Sequence, residues 1–243
     1  MTFDPDARTT DDLFAGALAE QEDEADLPVP CLVALHGRPT RDVFDRAVGL
    51  LSAAEPVRRL LGVLVLRELG PLDGDRRRPF TAETVRLLRR AMPHEPDPRV
   101  LGGMISALGF LGATEALDTV LGYARHQAWQ VRFGVAAALP CVADPDRTEE
   151  RVVDVLLRLG ADEDEDVRWY ALYARFNETS GVPAERRRAW ASALVDAAGA
   201  GADPEAGAER CAELRHIGTT LEEDADEVLR GLLLSAGGPA VTT

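Results

Sequence analysis

The chain is 243 residues long, 28% charged and 46% hydrophobic, with a net charge of -15 and a pI of about 4.7. That length and apolar share can bury a real core, as one elongated domain or two small ones. The acidic balance repels phosphate backbones, so the expected partners include no nucleic acid, while a basic partner is attracted at long range.

No lysine occurs, so all 27 Lys+Arg positions are arginine; with the high alanine content this suggests a GC-rich bacterial genome. Three cysteines, Cys31, Cys141 and Cys211, lie far apart without a CxxC pair. They predict neither a disulfide framework nor a cysteine zinc site, but buried thiols in a reducing cytosol. The N-terminal stretch, residues 1–26, is acidic and has no long apolar run. It reads as a partly disordered tail and not as a secretory leader. No stretch has the apolar length to cross a bilayer, so a soluble cytoplasmic protein without a membrane partner is expected.

From there the chain reads as helix after helix. Apolar residues recur at helical spacing in 41–54, 57–69, 81–92, 115–126, 150–161 and 225–235. Short breaks containing Pro, Gly and Asp separate these segments: Gly70-Pro71 closes one helix, and Thr81 with Thr84, Asp97-Pro98, Asp144-Pro145 and Gly181-Val182-Pro183 open or flank others. The helices also repeat. "EPVRRLLGVLVLRELG" (55–70) aligns with "DPRVLGGMISALGFLG" (97–112) at an offset of 42 residues, and the pairs Val131-Arg132 and Val167-Arg168 lie 36 apart. A two-helix unit of that period is the sequence signature of an α-solenoid.

The run "DEDVRWYALYARF" (164–176) carries a resemblance. An acid that ends a loop, then Val-Arg opening an apolar helix, resembles the HEAT repeat, through Asp164, Asp166, Val167, Arg168, Ala171 and Ala174. Residues 128–139 follow with Val131, Arg132, Val135, Ala138 and Leu139, and residues 57–69 with Arg59, Gly62, Val65 and Leu66. In 97–112 Leu101 stands where the arginine is expected, units at 28–37 and 203–215 match weakly, and Arg175 takes a position where leucine is usual. The resemblance implies an all-α fold, a solenoid of about five to six two-helix HEAT-like repeats over residues 27–236, followed by a flexible tail at 237–243. By itself it implies little about function.

The five acids from Asp162 to Asp166 invite a metal reading. Asp162, Asp164 and Asp166 alternate like the first ligands of a calcium loop, but Val167 replaces the glycine of the turn and Tyr173 the closing glutamate. The helix-cap reading wins: Asp164 or Asp166 caps the helix opening near Val167, and Arg168 reaches an acid in the neighbouring unit. The four histidines form no ligand pair, and no phosphate-binding or nucleophile motif is present. No metal, no cofactor and no catalytic residue is therefore expected. The runs Arg76-Arg77-Arg78 and Arg186-Arg187-Arg188 read as solvated surface, or more sharply as two basic spots able to grip phosphate or an acidic segment.

The aromatics point elsewhere. Trp169, Tyr173 and Phe176 fall at i, i+4 and i+7, on one helix face, with Trp129 and Phe133 in the preceding unit and Arg132, Arg168 and Arg175 nearby. The expected protein-binding residues are Trp129, Arg132, Phe133, Arg168, Trp169, Tyr173 and Phe176, on what the resemblance implies is the concave face of the solenoid. The function expected is a non-enzymatic scaffold, adaptor or immunity-type inhibitor that holds a partner protein or peptide, basic in character, as a monomer or weak homodimer. The alternative is a HEAT-like enzyme of the lyase or DNA glycosylase type, with Trp169 and Tyr173 stacking on a ligand and a carboxylate such as Asp166 assisting. A third reading makes the aromatic stripe a dimer interface.

Overall fold

The computed structural model describes residues 8–22, 29–74, 77–200, 203–222 and 225–237. Its described residues form thirteen α-helices and no strand, and the fold is all-α, of the HEAT-like solenoid class. The chain divides after Val142 into two compact units, where the sequence alone suggests one continuous repeat domain.

The first unit holds α1 (Thr10–Glu22), α2 (Pro30–His36), α3 (Arg41–Leu50), α4 (Pro56–Arg67), α5 (Thr81–Ala91), α6 (Pro98–Phe110), α7 (Leu117–Gly122) and α8 (Trp129–Val142). The described part of the acidic N-terminal segment is therefore a packed helix, α1, while residues 1–7 and 23–28 lie outside the described residues. The Thr9 hydroxyl accepts from the Asp12 N–H at 3.1 Å and the Asp12 carboxylate from the Thr9 N–H at 3.1 Å, a reciprocal cap. Leu13 and Ala17 are fully buried against α2, α3 and α4. Glu20 then accepts from the N–H groups of Cys31 at 2.7 Å and Leu32 at 3.1 Å, capping α2, which has no cap of its own.

Gly70 turns the chain at the end of α4 with a left-handed φ of 86° and donates to the His36 carbonyl at 2.8 Å. α6 runs against α8 at short range because glycines line the crossing. A methyl group on Gly134 would come within 2.5 Å of the Gly102 carbonyl oxygen, and one on Gly109 within 2.8 Å of the Ala138 Cα. Tight helix packing, not phosphate binding, accounts for Gly102 in the pair Gly102-Gly103. Asp97 caps α6, accepting from Arg99 N–H at 2.9 Å and Val100 N–H at 3.1 Å.

The second unit holds α9 (Glu150–Leu159), α10 (Glu165–Tyr173), a π-helical turn (Ala174–Glu178), α11 (Ala184–Gly199), α12 (Pro204–Thr220) and α13 (Glu227–Leu234). Its core is built from Leu172, Phe176, Ala191, Cys211, Leu214, Ile217, Leu229 and Leu233. Asp203 and Asp226 cap α12 and α13 as Asp97 caps α6. Cys31 and Cys211 are buried as expected, but Cys141 is exposed: it follows Pro140 near the end of α8, where the helix face turns outward.

One device recurs at a constant sequence offset. Arg59 donates to the carbonyls of Ala53 and Ala54, Arg132 to those of His126 and Gln127, and Arg168 to those of Asp162 and Glu163, at 2.8–3.4 Å. In each case the arginine in the first turn of a helix reaches back to the two carbonyls six and five residues earlier. It thus supplies a donor to two loop carbonyls and ties the preceding turn to the helix. Arg59 and Arg168 also fork onto an acid of another helical pair. Arg59 holds Glu95 at 2.8 Å through both Nε and Nη2, and Arg168 holds Glu213 on α12 at 2.9 Å and 2.5 Å.

Candidate functional site

The acids that open α10 act locally. Asp164 is the cap, accepting from the Val167 N–H at 3.1 Å, and Asp162 accepts from the Asp164 N–H at 3.0 Å. Glu163, Glu165 and Asp166 are exposed. Among the described residues no group of three or more His, Cys, Asp or Glu side chains is placed to hold a metal ion.

Behind the cap, α10 presents its rings. Trp169 and Tyr173 lie one helical turn apart and stack, with centroids 5.4 Å apart and planes 12° apart. Tyr170 meets both edge-on, at 6.2 Å from Trp169 and 5.8 Å from Tyr173. His216 of α12 closes the group 5.7 Å from Trp169. Trp169, Tyr170 and Tyr173 are half-buried and His216 is exposed, and Trp169 and Tyr173 back onto the core of the second unit.

Phe176 does not join this face. It is 2% exposed and part of the core. The π turn that follows Tyr173 is wider than an α turn, so the i+7 residue no longer projects along the i, i+4 face and points inward instead. Arg168 is not a free surface cation either: it is 7% exposed and fully engaged by Glu213 and the two loop carbonyls, and the bonds to Glu213 raise its pKa further above its ordinary value. Arg132 is likewise buried against its loop. In the first unit Trp129 is exposed and Phe133, one turn on, is half-buried. The structure therefore brings Trp169 and Tyr173 together, keeps Trp129 at the surface, and moves Phe176, Arg132 and Arg168 into structural roles. Tyr170 and His216 extend the ring group beyond the sequence expectation. Tyr170 is adjacent in the chain and could be read there, whereas His216 is 47 positions after Trp169 and gives no local signal.

The π turn also explains Arg175. Its side chain is 1% exposed, with its guanidinium over the Trp190 ring at 4.1 Å and the Phe176 ring at 5.5 Å. Its Nε is buried without an acceptor, and burial together with the nearby Arg186 pushes its pKa down to about 9. Glu178 ends the same turn with a buried Oε2 that has no donor, and burial raises its pKa. Arg187 donates to the carbonyls of Phe176 and Thr179, which the wide turn leaves open. Its neighbours Arg186 and Arg188 pair with Glu150 and Asp226. The second arginine run is thus an internal clamp, not a solvated basic spot.

No described helix is long and apolar enough to cross a membrane. No curated protein matches the chain. Residues 85–174, the stretch from α5 through α10, match the family model for HEAT repeats, and the arginine-to-loop device at Arg132 and Arg168 falls inside that match.

Proposed function

We propose that this is a non-enzymatic binding protein, of the adaptor, inhibitor or immunity type, that holds a partner protein or peptide on the ring-bearing face of α10. HEAT repeats commonly mediate protein–protein interaction. The observation that carries the reading is the Trp169–Tyr173 stack. Two large rings are already fixed against each other and against the core, so a partner covers apolar area without first immobilising side chains. Beside them Glu165 and Asp166 lie exposed in the first turn of α10. Electron-rich ring faces next to carboxylates favour arginine or lysine side chains on the partner. Asp166, the carboxylate that an enzymatic reading would call on, is solvent-exposed in the first turn of α10. The same reading makes the protein cytoplasmic, and a monomer or weak homodimer, since a charge of -15 keeps copies apart.

The test is affinity capture from the native organism, comparing the wild type with Trp169→Leu/Tyr173→Leu. Leucines retain contact with the core while removing the ring faces. The expected result is loss of a specific, basic partner with the helical circular dichroism unchanged. Capture that survives in the folded double variant refutes the assignment of the rings.

A further inference from the structure

The first unit contains a second, chemically different feature. A cavity of about 610 Å³ opens between the loop before α5, the first turns of α5 and the turn after α6. That volume is in the range of small-molecule sites. Four arginines line it: Arg41, Arg77, Arg78 and Arg86. Arg41 is occupied by Asp45 and Glu83. The other three have no carboxylate partner among the described residues. Arg78 donates to the backbone carbonyls of Glu68 and Gly70, Arg86 donates its Nε to the Ala82 carbonyl at 3.3 Å, and the Arg77 guanidinium is exposed. This contrasts with Arg46, Arg59, Arg168, Arg186 and Arg188, each of which holds an acid. Three guanidiniums with no carboxylate partner among the described residues thus converge on one cavity, which makes it a place for an anion.

The backbone adds to the same field. α5 begins at Thr81 without a capping side chain, its N-cap position being Phe80 in the left-handed region at φ 63°. Thr81, Ala82 and Glu83 line the cavity, so the positive end of the helix lies at its wall, with the Thr81 N–H donating to the Arg78 carbonyl at 3.3 Å. Glu83 is paired with Arg41, and Asp73 accepts from the Arg77 backbone N–H at 2.8 Å, so Asp73 and Glu115 are the lining acids set against the guanidiniums of Arg77, Arg78 and Arg86.

We propose that this cavity is a binding site for a phosphate monoester, held by Arg77, Arg78 and Arg86. A compact dianion suits the site better than a single carboxylate. The chain's overall charge repels anions, and salt screens that repulsion beyond about 8 Å. A group with three acceptor oxygens that meets several planar guanidiniums at once gains charge-assisted bonds that outweigh it. The site uses none of the residues of the ring face of α10, and its test does not depend on that face.

The test is calorimetric titration of the full chain at constant ionic strength, with phosphoserine, inorganic phosphate and a phosphoserine peptide as probes. Saturable binding of phosphoserine is expected. It should weaken by at least about tenfold in Arg77→Gln/Arg86→Gln, both exposed positions, because each lost charge-assisted bond counts for roughly that factor. The control is Arg89→Gln/Arg90→Gln, which removes the same charge from exposed positions of α5 that do not line the cavity. Its affinity should stay within about twofold of wild type, since screened charges at a distance contribute little. A peptide bound more tightly than phosphoserine makes a phosphoprotein the source of the ligand, and equal affinity makes it a small metabolite. Absence of saturable binding, or equal weakening in both double variants, overturns the proposal.

Discussion

Replacing Arg175 with methionine should stabilise the second unit. The guanidinium is 1% exposed and burial pushes its pKa from well above the physiological range down to about 9, a shift of three to four powers of ten. At about 1.4 kcal/mol for each tenfold change, holding that charge costs about 5 kcal/mol at neutral pH. The Trp190 and Phe176 rings at 4.1 Å and 5.5 Å return about 2 kcal/mol of this as cation–π attraction. Methionine fills a similar length, keeps contact with the rings through sulfur, and carries no charge to desolvate. A net gain of about 1–3 kcal/mol follows, in line with other buried charges exchanged for apolar groups. Urea unfolding followed by tryptophan fluorescence in a Trp129→Phe background confines the signal to Trp169 and Trp190. The midpoint should rise by about 1 M for a slope of about 2 kcal/mol per molar. The pH dependence gives the sign independently. The folded-state pKa of a cation is depressed here, so the penalty is complete below about 9 and fades as pH rises above it. Wild type should therefore gain on the variant between pH 8 and pH 10. A variant less stable than wild type at pH 7, or a difference that does not change over that pH range, would refute the reasoning.

Glu178→Gln should stabilise the same turn at pH 7. Burial raises the Glu178 pKa, so its carboxylate destabilises the fold at neutral pH, and the advantage of glutamine should vanish as pH falls through the folded-state pKa; urea titrations at pH 7 and pH 4.5 measure it. Arg168→Met leaves Glu213 and two loop carbonyls without their donor, and should cost about 3–5 kcal/mol in equilibrium unfolding. Gly134→Ala forces a methyl group to 2.5 Å from the Gly102 carbonyl and should cost about 1–3 kcal/mol. Gly49→Ala, in the exposed last turn of α3 with open space around it, should instead add about 0.5–1 kcal/mol. Thermal melts of the two glycine variants should move in opposite directions.

What could be read directly from the chain is what short-range rules govern. Helix after helix follows from apolar spacing, the cap at Asp164 from an acid three residues before a free N–H, and the tight crossing at Gly102 from a glycine pair inside a helical pattern. The Val-Arg register mark was legible as well. The constant reach of Arg59, Arg132 and Arg168 to carbonyls six and five residues back is a local contact that each repeat makes within itself. Only the tertiary structure decided which side of a helix is covered, because that depends on a neighbour far away in sequence. α1 is acidic and weakly patterned, yet Leu13 and Ala17 are buried because α2, α3 and α4 lie beside it. Phe176 shares a face with Trp169 in an ideal helix, but a single π turn rotates it into the core and takes Arg175 with it. The same holds for the arginine runs, which look alike in sequence. Arg186 to Arg188 meet two acids and open carbonyls and become a clamp, whereas Arg77 and Arg78 meet a cavity and Arg86, with no carboxylate partner among the described residues. An arginine is the same cation in both places, and its role is set by whether a distant segment brings it an acid.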